Sequence, residues 1–115
     1  MDQLEQALQR VLAFRKERDW EKFHNPKDAS LTLVLEATEV MEHFQWKNEA
    51  EMKEYVKTHK EEIGDELADV VYWILLLSHD LNIDLFDAFE KKMKKNEAKY
   101  PVEKAKGVAT KYDKL

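Results

Sequence analysis

The sequence contains no cysteine. A disulfide, a thiolate nucleophile and a zinc–cysteine site are therefore excluded from the outset. The lack of disulfides fits a reducing compartment, and a cytoplasmic location is expected. Helix breakers are scarce as well, with two glycines and two prolines in 115 residues. Hydrophobic residues make up 43% and charged ones 37%, a mix that favours helix. The expectation is a single all-α domain over residues 1–115. Long apolar runs are missing: the longest, Val70–Leu77, falls far short of the ~20 residues that cross a bilayer, so no membrane partner is expected. The opening stretch MDQLEQALQR is polar and amphipathic, unlike a signal peptide. Positive charge is not in excess either. A net charge of −5 offers no basic footprint to a nucleic-acid polymer. A small anionic ligand is admissible if cations intervene.

What is present is carboxylate in helical register. The stretch EEIGDELADVVYWILLL, Glu61 to Leu77, starts acidic, ends apolar and has no proline, so it reads as one continuous helix. Spacings of four, three and four place Glu62, Glu66, Asp69 and Trp73 on one face. Earlier, in LTLVLEATEVMEHFQW, Glu36 and Glu39 are three apart and His43 follows four later on the same side. Like charges on one stripe repel, so each stripe needs solvent or a cation in front of it. Two helices presenting Glu-x-x-Glu and Glu-x-x-Asp are able to surround a hard divalent cation.

Other segments fall around this pair. Residues 3–18 carry Leu4, Ala7, Leu8, Val11, Leu12 and Phe14 at helical spacing, with Asp2 and Glu5 resembling a capping pattern. Arg18–Asp28 loses periodicity and reads as a loop; its Trp20 and Phe23 either plug a gap between helices or line a pocket for a flat ligand. Asp28 is the expected N-cap of a second helix from Ala29 to about Trp46. Lys47–Lys60 is polar and reads as a short exposed helix or structured loop, with His59 on the surface. The long helix then runs from about Lys60 to Leu81. Because Val70–Leu77 is apolar on every side, that helix should be central, with a partner chain covering part of it. A fourth helix, DLFDAFEKKMKKNEAKY, ends at Pro101. On it Lys92, Asn96 and Lys99 share a stripe suited to phosphate oxygens or simply to water. Val102–Leu115 lacks periodicity and is expected to be partly disordered.

The metal follows from the donors. All four are carboxylates, which zinc disfavours and magnesium or manganese accepts. A di-iron bundle would want Glu-x-x-His, but Val40 and Leu76 stand three before His43 and His79. Magnesium often bridges carboxylates to substrate phosphates. The expected constellation is therefore Glu36, Glu39, Glu66 and Asp69, then Mg²⁺ (with Mn²⁺ as substitute), then a phosphorylated substrate. From the residues alone, a non-enzymatic helical interaction module and a hydrolase of another phosphorylated metabolite stay open.

In combination, RDWEKFHNPKDASLTLVLEATEVMEHFQW, GDELADVVYWILLL and KMKKNEAKYP resemble the MazG-like nucleotide pyrophosphohydrolases, in particular their small dCTP pyrophosphatase branch. The similarity spans about residues 10–105. It implies a four-helix-type bundle assembled as a homodimer or homotetramer. The implied activity cleaves a nucleoside triphosphate to the monophosphate and pyrophosphate. On this resemblance Glu36, Glu39, Glu66 and Asp69 would be catalytic and bind Mg²⁺, while Lys92, Asn96, Lys99 and Tyr100 would hold phosphates. Trp20, Trp46 and Trp73, with His24 beside them, would line the base and sugar pocket. Val11 stands where that branch can have His.

Overall fold

A computed structural model describes residues 2–115. Five α-helices follow in order: α1 (Gln3–Glu17), α2 (Pro26–Glu42), α3 (Glu49–Asp80), α4 (Leu85–Lys99) and α5 (Val102–Ala105). Short 3-10 turns occur at Glu21–Phe23 and Tyr112–Lys114, and no strand is present among the described residues. The chain forms two compact units, one ending at Asn82 and the other running from Ile83 to Leu115. Of the four long helices expected in one bundle, α1–α3 lie in the first unit and α4 in the second.

The starts of α1 to α4 are each set by a side chain that accepts an otherwise orphaned amide. Asp2 accepts from Glu5 N at 2.8 Å, as its spacing suggested. The second helix departs from expectation. Its cap is Asn25, which accepts from Asp28 N at 2.9 Å, not Asp28. Pro26 occupies the first turn, where its missing N–H costs nothing and its fixed φ suits a helix. The helix also ends at Glu42 rather than Trp46; the chain turns through 43–46, and Trp46 sits at φ 68, a region costly for a non-glycine residue.

The polar stretch after Lys47 is the first half of α3, not a loop. Asn48 and Glu51 form a reciprocal capping box, with bonds of 2.9 and 3.1 Å. Near the expected boundary at Lys60, α3 kinks at His59 (φ −124, ψ 18). The His59 Nδ1–H donates to the Tyr55 carbonyl at 2.9 Å, and a side chain inserted into the backbone ladder is a recognised cause of a kink. His59 is accordingly half-buried against Tyr55, not a free surface residue. The fourth helix is as expected, capped by Asp84 accepting from Asp87 N at 3.0 Å. The tail, expected to be partly disordered, carries α5 directly after Pro101.

In the first unit α3 packs against α2 and α1. Leu75 and Leu76 of α3 and Ala29 of α2 form the buried apolar core. Arg15 of α1 is only 5% exposed; it donates through both terminal nitrogens to Asp80 at 2.8 and 2.9 Å. This fork-to-carboxylate bond holds the guanidinium charged despite burial and ties α1 to the end of α3. The all-round apolar segment of α3 is only partly covered. Leu75 and Leu76 are inside, yet Val71 is 47% exposed and Leu31, Val34 and Leu35 of α2 are exposed too.

Candidate functional site

Packing of α2 on α3 brings the two acidic stripes together. The Glu36 carboxyl is pushed above its ordinary range, first by burial, then by Glu39 and Asp69, with Glu66 adding to the effect. One carboxyl thus feels the other three, which two helices have to supply. Glu36 and Glu66 are half-buried, whereas Glu39 and Asp69 are exposed. Glu62, at the start of the stripe, is exposed to solvent.

Two oxygens identify the cost of this arrangement. Glu36 Oε2 and Glu66 Oε2 are buried without a hydrogen bond. Such atoms are destabilising unless something pairs with them. Glu66 Oε2 does lie against His43 Nε2, but neither atom has a hydrogen-bond partner. Among the described residues no three His, Asp or Glu side chains form a finished ligand set as they stand.

Beside the carboxylates lies a cleft of about 630 Å³ whose walls include Glu36, Asp69, Phe14, Trp20, Tyr72 and Trp73. Its aromatic side is a chain of edge-on contacts. Trp20 meets Phe14 at 5.7 Å, Phe14 meets Tyr72 at 6.0 Å, Tyr72 meets Trp73 at 5.2 Å and Trp73 meets His24 at 5.2 Å between ring centroids. Such edge-to-face packing holds rings at fixed angles. Of the two open readings for Trp20, it lines a pocket; Phe23 does not, and lies exposed under Lys22. His24 is held below its usual pKa, first by burial and then by Arg15.

The remaining expected residues divide. Trp46 is 91% exposed and is not part of the cleft wall. Lys92, Asn96, Lys99 and Tyr100 belong to the second unit, on or just after α4. There Lys99 Nζ lies 4.7 Å from the Tyr112 ring centroid, and Tyr100 meets that ring edge-on at 6.2 Å. The wall also holds residues that the sequence does not single out for the site, among them Phe14, Tyr72 and Arg10. Phe14 was assigned to ordinary core periodicity. Tyr72 sits beside Trp73, outside the acidic stripe, and Arg10 is one helical turn before Phe14; that spacing was the available signal.

Comparison with known proteins shows what the whole chain is similar to. Residues 31–115 match the model of the MazG-like family. The dCTP pyrophosphatase 1 of Rattus norvegicus is 40% identical over 104 residues, 89% of this chain and 61% of that protein. The dCTP pyrophosphatase 1 of Homo sapiens is 36% identical over 104 residues, again 89% of this chain and 61% of that protein. The chain thus spans about three fifths of the length of these curated relatives. The crystal structure of a pyrophosphatase from Archaeoglobus fulgidus superposes with a TM-score of 0.82 at 35% identity, covering 88% of this chain and 94% of that one.

Proposed function

This chain belongs to the MazG-like family, and we propose that it is a cytoplasmic, Mg²⁺-dependent nucleoside triphosphate pyrophosphohydrolase acting on a dCTP-like deoxynucleotide. The carrying observation is that Glu36, under the field of Glu39, Asp69 and Glu66, forms part of the wall of an aromatic cleft. This supports reading the acids as a cation-seeking cluster beside a surface for a flat base. The likeness to the dCTP pyrophosphatases of Rattus norvegicus and Homo sapiens supports the substrate class.

Glu36, Glu39, Glu66 and Asp69 would hold the Mg²⁺, with Mn²⁺ as substitute. Their fit rests on an all-oxygen donor set and on two buried carboxylate oxygens that lack a hydrogen bond. When bound, the cation neutralises triphosphate charge and makes a water more acidic. Glu36 or Glu39 orients that water and takes its proton. The water oxygen bonds to the α-phosphorus while the bond from that phosphorus to the bridging oxygen breaks. Pyrophosphate leaves with the electron pair, and the monophosphate stays behind. Trp20, Tyr72 and Trp73 wall the base and sugar. Lys92, Asn96, Lys99 and Tyr100 would steady the phosphates.

The exposed apolar side chains of α2 and α3, Leu31, Val34, Leu35 and Val71, support a homodimer or homotetramer; a monomer in sedimentation would remove that part. The reaction is tested with a panel of NTPs and dNTPs. Monophosphate and pyrophosphate in equal amounts, lost on chelation, are expected. Release of orthophosphate overturns the assigned bond. Glu39→Gln and Asp69→Asn should abolish turnover with helical circular dichroism unchanged.

A further inference from the structure

We propose that His43 is a positioning residue for Glu66, with its tautomer fixed by Tyr55. The inference rests on the metal-dependent reading above. The His43 side chain is 11% exposed, and its Nε2 meets Glu66 Oε2 with both atoms buried. Its other ring nitrogen, Nδ1, is hydrogen-bonded to the Tyr55 hydroxyl at 2.5 Å. Tyr55 is itself clamped. Its ring stacks on His59, centroids 3.8 Å apart and planes 3° from parallel, and Lys47 Nζ lies 4.2 Å from its centroid on the ring face. The same His59 ring donates from Nδ1 to the Tyr55 carbonyl at 2.9 Å.

The logic is one of donors and acceptors. A carboxylate only accepts; a tyrosine hydroxyl does either; a neutral imidazole has one of each. Bare Nε2 against a carboxylate oxygen would set two acceptors face to face. With Tyr55 donating to Nδ1, the ring proton is left on Nε2, the nitrogen that lies against Glu66 Oε2. His43 thus meets one oxygen of Glu66, Oε2, and fixes how that carboxylate is held. Groups of this kind, behind a ligand, typically change metal affinity or activity by about 10–100-fold when removed.

The test measures Mn²⁺ binding to the full chain by electron paramagnetic resonance, apart from turnover. His43→Leu should weaken Mn²⁺ binding by about tenfold or more. His43→Gln, whose amide nitrogen reaches about as far as Nε2, should recover most of it. Tyr55→Phe, which keeps the stacked ring, should give a smaller loss. Turnover at saturating metal should change less than the metal requirement does. A merely structural His43 would lower the unfolding midpoint and leave Mn²⁺ affinity alone. Unchanged binding in His43→Leu overturns the proposal, and so does tighter binding, which would make His43 a competitor of the cation. Should His43→Leu not fold, unchanged affinity in Tyr55→Phe overturns it instead. No Mn²⁺ binding by the unaltered chain would remove the metal site itself, and this inference with it; binding there without an effect in the variants removes this inference alone.

Discussion

Glu36→Gln should stabilise the metal-free protein while destroying its activity. Glu36 is half-buried, its carboxyl is pushed up by burial and by three other acids, and one of its oxygens has no hydrogen bond. Residues three apart on a helix have Cβ atoms about 5–6 Å apart. Two unit charges about 6 Å apart repel by about 3 kcal/mol at an effective dielectric of 20, and about 0.7 kcal/mol in water. Glu39 and Asp69 are exposed, so the watery end of that range applies to each. Summing over the acids that Glu36 faces, the amide should gain on the order of 1 kcal/mol, or about 4 °C in the unfolding midpoint for a chain of this size. Turnover should fall by at least about a hundredfold, the usual scale for a general base. The assay is thermal and urea unfolding in chelator, followed by circular dichroism, beside monophosphate production in Mg²⁺.

The pH dependence has a definite sign. A carboxyl raised in the folded state above its ordinary value of 4.5 makes the folded chain hold the proton more tightly than the unfolded one. Its contribution to stability is present below that value and is lost as pH rises through the folded pKa. The stability of the parent minus that of Glu36→Gln should therefore fall across that window in chelator, and Mg²⁺ should restore the parent above it. A Glu36→Gln variant no more stable than the parent in chelator would refute the claim that these acids crowd one another.

Asp80→Ala strands the Arg15 guanidinium, whose side chain is 6% exposed against 26% for Asp80. Loss of a buried partner costs about 3–5 kcal/mol, and the partial exposure of Asp80 points to the low end. Urea unfolding should show this, with Arg15→Met/Asp80→Leu recovering most of it; a change under about 0.5 kcal/mol, the scale of an ordinary surface site, would deny that the pair anchors α1. Trp73→Ala and Trp20→Ala each remove a wall of the cleft. Base stacking is worth about 1–3 kcal/mol, so KM should rise about 5- to 100-fold with kcat less affected; unchanged KM would place the base elsewhere. His24, held below its ordinary 6.5 chiefly by burial, contributes stability above that value and loses it as pH falls. His24→Phe should remove this acid-side loss, which unfolding midpoints at a series of pH values would reveal; a parent and variant that weaken in parallel would contradict it.

Periodicity shows which residues share a face of one helix, and here it was sufficient for much of the site. Glu36 with Glu39, and Glu66 with Asp69, could be paired from spacings alone because three and four residues nearly complete a turn. That the two pairs face each other is a property of α2 packing on α3, which spacing does not encode; only the cost of unneutralised stripes hinted at it. The errors have the same origin. Asp28 looked like a cap, but Asn25 followed by Pro26 starts the helix one turn earlier, because proline's fixed φ overrides a merely adequate acid. The polar run after Lys47 is open on sequence between an exposed helix and a structured loop; a capping box and the continuation into α3 make it helix. His59 marks where that winding fails, and the failure is local: a side chain takes the carbonyl its own amide would have used. This is why His43, legible only as one more position on the Glu39 side, acquires its partners in the structure. Glu66 reaches it from the second half of α3 and Tyr55 from the first, so both halves of a kinked helix meet the end of α2 at one imidazole. A straight and featureless α3 would place Tyr55 and Glu66, eleven residues apart, about 16 Å from each other along the axis. Only a residue with two opposed ring nitrogens, standing between them, connects the two.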